Sequence, residues 1–76
     1  MDIFCKRFKE LKNSKSVTYQ QIADVLNIKL RTAKYYASGG IKPDYYGLLA
    51  LADYFDVSLD YLTGRSDEPQ AGKRNK

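Results

Sequence analysis

Seventy-six residues, 43% hydrophobic and 29% charged, suit one small globular domain and lie well outside the composition of a disordered chain. The chain has no histidine and one cysteine, Cys5, so imidazole acid–base chemistry, a thiolate zinc cluster and an intrachain disulfide are excluded. No signal-peptide pattern is legible and no apolar run nears the roughly 20 residues of a membrane span, so a cytoplasmic protein is expected.

The net charge of +4 is unevenly spread. Residues 1–42 hold nine Lys/Arg against three Asp/Glu, a net +6, whereas residues 43–76 hold four against six, a net −2. The basic half is the candidate polyanion-binding face, although basic side chains on amphipathic helices also serve solubility.

In chain order, Ile3, Phe4, Phe8 and Leu11 recur at helical spacing, with Lys6, Arg7, Lys9, Glu10 and Lys12 on the remaining faces. The spacing predicts an amphipathic helix over 2–13, with Cys5 as a small apolar residue near its core side. A polar turn, Asn13 to Ser16, follows. Thr18 and Gln21 have the spacing of a capping box, and Val17 with Ile22 that of a hydrophobic staple, so a second helix starts at Thr18 and buries Ile22, Ala23 and Leu26. Asn27 tolerates the left-handed conformation needed to turn the chain, and Ile28 is expected to be buried.

A third helix is predicted from Leu30 to Ala37, stopped by Ser38, Gly39 and Gly40, with Gly39 as its left-handed terminator. Asp44 after Pro43 caps a fourth helix whose inward stripe is Leu48, Leu51, Ala52 and Phe55, with Gly47 marking a close approach. Ser58 caps a short last helix to Thr63, with Val57 and Leu62 as its staple and Gly64 closing it. The expected fold is all-α: five helices and no strand. Residues 1–65 form the domain, and 66–76 read as a polar tail or the start of a linker.

Two short helices joined by a tight turn, Thr18 to Ser38, make a candidate helix-turn-helix. The run Val17-Thr18, Ile22-Ala23, Leu26-Asn27-Ile28, Gly39, Pro43-Asp44, Leu51-Ala52 and Phe55 through Arg65 resembles the Cro/C1-type, XRE-like family of phage-repressor DNA-binding domains, over roughly residues 4–65. The resemblance implies a compact lambda-repressor-like domain acting as a sequence-specific regulator, most simply a repressor. It implies helix three in the major groove of double-stranded DNA, with two copies on a pseudo-palindromic operator. Where that family often pairs a late helix-one base with a glutamate near the end of helix three, this chain has Lys12 and Ala37, and no buried ion pair is expected.

With Ala33 and Tyr36 facing inward, Leu30, Arg31, Lys34 and Tyr35 face outward and are the candidate base-reading residues. Arg31 has the geometry for guanine O6 and N7, and Leu30 suits a thymine methyl. Thr18, Tyr19, Lys29, Thr32 and Lys42 are the candidate phosphate contacts. No catalytic residue, metal site or cofactor is identified, and Asp44, Asp53, Asp56, Asp60, Asp67 and Glu68 fall where caps, polar faces and a tail would put them. An alternative is a helical protein-interaction module, of antitoxin or anti-repressor type, using the face around Tyr45, Tyr46, Leu49, Tyr54 and Tyr61. The same face would suit a homodimer.

Overall fold

The computed structural model describes residues 3–69 and is all-helical over that range: α1 Ile3–Ser14, α2 Tyr19–Leu26, α3 Leu30–Ser38, α4 Tyr45–Phe55 and α5 Leu59–Thr63. Local chemistry sets the boundaries. Thr18 Oγ1 accepts from the Gln21 N–H at 3.0 Å while Gln21 Oε1 accepts from the Thr18 N–H at 2.8 Å, closing the capping box. Asp44 Oδ1 accepts from the Gly47 N–H, and Ser58 Oγ from the Tyr61 N–H, to start α4 and α5. Left-handed residues end four helices: Asn27 (φ 58°), Gly39 (φ 88°), Asp56 (φ 59°) and Gly64 (φ 91°). The terminator at Asp56 was not anticipated from the sequence, and α3 runs one residue past the predicted Ala37 to Ser38.

Gly47 is required by space, because a Cβ there would stand 2.9 Å from the Pro43 Cβ. Gly64 combines its positive φ with Ile3 against its Cα, so any side chain there would collide.

α3 packs on α2 and α1, α5 on α1 and α4, and α4 also on α2. At the centre Phe8, Ile22, Leu51, Phe55 and Leu62 are fully buried. Phe8 meets the Phe55 ring edge-on at 6.1 Å and the Tyr36 ring edge-on at 6.2 Å, and stacks with Phe4 at 5.6 Å. Cys5 joins this core as a small apolar group. Leu26, Ile28 and Leu48, expected inside, are only half-buried, because each lies at an edge of the core.

Arg7 corrects the sequence reading. Predicted on a polar face, its side chain is only 12% exposed. It donates through Nη1 to the carbonyls of Tyr61 and Ser66, each at 2.6 Å, pairs through Nη2 with Asp67 at 2.9 Å, and lies over the Tyr61 ring at 4.1 Å. The described part of the polar tail, 66–69, accordingly lies back on the helices, with the Ser58 N–H donating to the Pro69 carbonyl at 2.8 Å. The remainder, 70–76, lies outside the described residues, as do Met1 and Asp2.

Burying a guanidinium against two carbonyls makes its removal costly. Arg7→Ala is expected to lower unfolding free energy by about 2–3 kcal/mol in urea denaturation. Asp67→Ala should leave the midpoint nearly unchanged, because that carboxylate is 96% exposed and its pairing is screened by water.

Candidate nucleic-acid interface

α2 and α3 form a tight helix pair because the turn between them leaves no slack. Asn27 is left-handed, and the Ile28 N–H returns to the Ala23 carbonyl at 2.9 Å. Ala23, fully buried, has the small side chain that lets the two helices close on each other. α3 then buries Ala33, Tyr36 and Ala37 and turns its other side outward.

On that outer side the structure brings together the four residues expected to read bases. Arg31 and Lys34 are exposed, Leu30 is 38% and Tyr35 42% exposed, both large for apolar or aromatic side chains left at a surface. Lys29 is the N-cap of α3 in extended conformation, and its side chain makes no capping hydrogen bond. The first turn of α3 is therefore a cluster of backbone N–H donors flanked by Lys29 and Arg31, an electropositive end suited to an anion.

The candidate phosphate contacts differ in availability. Thr18 is exposed at the start of α2, its oxygen accepting within the capping box while its O–H remains a donor. Thr32 is half-buried and Lys42 is exposed in the α3–α4 connection, beside a slot lined by Phe4, Pro43 and Leu48. Tyr19 is half-buried against the core, with Lys12 Nζ over its ring at 4.6 Å. Sequence reasoning missed this cation–π contact, which turns the Lys12 ammonium onto Tyr19.

The tyrosines of the acidic half separate into two kinds. Tyr54 leans on Phe55 and Tyr61 underlies Arg7, so both thicken the core. Tyr45 and Tyr46, 58% and 76% exposed, stand together at the start of α4 with ring centroids 5.5 Å apart, following Ile41, which is 44% exposed.

The crystal structure of a transcriptional regulator from Listeria innocua matches this geometry with a TM-score of 0.78 and 43% sequence identity, over 80% of this chain and 57% of that one. The fold shared with it is all-helical over the described residues, with α2 and α3 as a helix-turn-helix. Three proteins of Bacillus subtilis are similar in sequence. The uncharacterized HTH-type transcriptional regulator YobD is 31% identical over 67 residues, spanning 88% of this chain and 60% of that protein. YqaE, bearing the same description, is 37% identical over 87% of this chain and 58% of its own length. The HTH-type transcriptional regulator AnsR is 39% identical over 84% and 55%. The chain thus spans little more than half the length of the regulators it matches. No family model matches it. Among its described residues no helix is long and apolar enough to cross a membrane.

Tyr36, on the buried side of α3, has its ionisation pushed above the ordinary phenol value of 10.0, first by burial and then by the nearby Asp44 carboxylate. Because the folded state disfavours the phenolate, the stabilisation is fully present below pH 10 and is lost as pH rises through the higher folded value. Denaturation followed from pH 8 to 11.5 should show wild type losing stability on the alkaline side more steeply than Tyr36→Phe, with equal slopes as the contrary result.

Proposed function

We propose that this chain is a Cro/C1-type, XRE-like DNA-binding domain that recognises specific double-stranded DNA and acts as a cytoplasmic transcriptional repressor. The observation that carries the reading is the outward row of Leu30, Arg31, Lys34 and Tyr35 on a helix whose opposite side is buried. α3 enters the major groove, Arg31 donating to a guanine edge, Leu30 touching a thymine methyl, and Lys34 and Tyr35 reaching further along the site. Thr18, Tyr19, Lys29, Thr32 and Lys42 hold the phosphates on either side. Residues 1–65 form the reading unit, and 66–76 are a tail or linker whose first residues Arg7 ties down.

A second copy occupies the other half of a pseudo-palindromic operator about 10 bp away. The exposed pair Tyr45 and Tyr46 is the face offered to it. The neighbouring regulators support the regulatory reading by their descriptions.

Selection from a random duplex pool should enrich an inverted repeat. Arg31→Ala should then lose about 1–3 kcal/mol of affinity for the selected site and accept substitutions at one base pair. Binding should weaken with salt by a slope of about 0.9 per phosphate neutralised. A pool with no enriched sequence would favour the protein-interaction module instead.

Tyr46→Glu separates the dimer from the reading head. On the full operator it should abolish cooperative occupancy in a mobility-shift titration while leaving affinity for an isolated half-site unchanged. Equal cooperativity in both proteins would remove the tyrosine pair from the dimer contact.

A further inference from the structure

The inward row of α3 is unusual in its sizes. Ala33 and Ala37 present only methyl groups, and Tyr36 between them is the one long side chain that α3 sends into the core. Its ring meets Phe4 edge-on at 6.4 Å and Phe8 edge-on at 6.2 Å, and Phe8 is braced in turn by Phe55 at 6.1 Å. Tyr36 also lines a cleft of about 330 Å³ between the end of α2 and the start of α4, with Val25, Leu26, Ile28, Asp44, Tyr46 and Ala50. The ring is thus braced by Phe4 and Phe8 of α1 and borders open space towards α4.

We infer that Tyr36 is the positioning residue of the reading head, a wedge that sets how far α3 stands off the core and at what tilt it presents Arg31 and Lys34. The inference rests on the reading of α3 as the helix that contacts bases. Alanine methyls alone would let the helix settle inward or roll towards the cleft, because nothing on that side fills the space the ring would vacate.

Arg31 lies five residues from Tyr36, about 7.5 Å along the helix axis, so a tilt of about 10° pivoting at Tyr36 would displace it by about 1.3 Å. A bidentate contact with a guanine edge does not survive such a shift, whereas attraction between a basic surface and phosphates does. Tyr36 therefore governs specificity far more than general affinity.

The measurement is the ratio of affinities for the selected site and for an unrelated duplex, at a temperature where circular dichroism shows each variant fully folded. Tyr36→Phe keeps the wedge and should hold the ratio within about twofold of wild type. Tyr36→Leu should lower it by about tenfold or more while non-specific affinity and its salt slope stay at the wild-type level. Leu51→Ala, a cavity under α4, which packs on α5 and α2, is the control for a loss of stability and should leave the ratio unchanged. If Tyr36→Leu does not fold, Tyr36→Met, unbranched and longer, carries the same expectation. A folded leucine or methionine variant with the wild-type ratio overturns the inference, as does equal loss of specific and non-specific binding. Wild type that selects no sequence would overturn the functional reading itself, a result distinguishable from either.

Discussion

The edge-on contact of Phe8 with both Phe55 and Tyr36 is the interaction on which the rest of this domain depends. A small all-helical chain buries a limited fraction of its surface, so it cannot afford separate cores for its two halves. Phe8 joins them: through Phe55 it reaches α4, through Tyr36 it reaches α3, and its own helix carries Arg7, which holds the chain after α5. Aromatic rings suit this role because they bury large areas with few rotatable bonds, so the position of one ring fixes that of the next. α3 is consequently held from behind, with its outer side spared from packing.

That division of labour also sorts the charges. Counted along the sequence, the first 42 residues look like one basic surface, yet Arg7 is withdrawn from it and spent on carbonyls and an aromatic face. Lys12 is partly withdrawn too, onto Tyr19. What remains exposed on α3 and beside it is Lys29, Arg31, Lys34 and Lys42, a smaller set whose strength lies in its placement. Net charge speaks to solubility and non-specific attraction, and only position on a rigid helix can turn it into recognition.

The same contrast explains what was legible in the sequence. Thr18 with Gln21, Asp44, Ser58, Asn27 and Gly39 act within three or four residues of themselves, so their roles follow from residue type and spacing. The inward row of Ala33 and Tyr36 follows from helical periodicity, which also puts the candidate reading residues on the opposite side. Arg7 was not legible, because two of its partners are backbone carbonyls 54 and 59 residues away and a carbonyl has no sequence signature. The docking of 66–69 escaped for the same reason: it is held by main-chain and guanidinium hydrogen bonds, while hydrophobic pattern reports only apolar burial. Lys12 on Tyr19 depends on the angle at which α1 approaches α2, which no local rule supplies.

Among α2 to α5, α3 alone breaks the local rules, and the break falls where function is proposed. α2, α4 and α5 each begin with a side chain accepting from a backbone N–H, whereas α3 begins with a lysine that accepts nothing. Its first turn, like those of α2 and α4, has no acidic residue, but here Lys29 and Arg31 also set positive charge against the positive end of the helix dipole, an arrangement that costs a few tenths to about 1 kcal/mol. Its outer side leaves Leu30 and Tyr35 in water. A sequence selected for stability alone would correct all three, since each correction needs a single substitution. The unsatisfied N–H groups, the crowded cations and the exposed apolar side chains are, however, the groups that phosphates and base edges would satisfy. α3 owes its helical form to the packing of Tyr36, Ala33 and Ala37 on α1 and α2, and that support from behind is what permits its exposed side to remain incomplete, as the proposed reading of DNA requires.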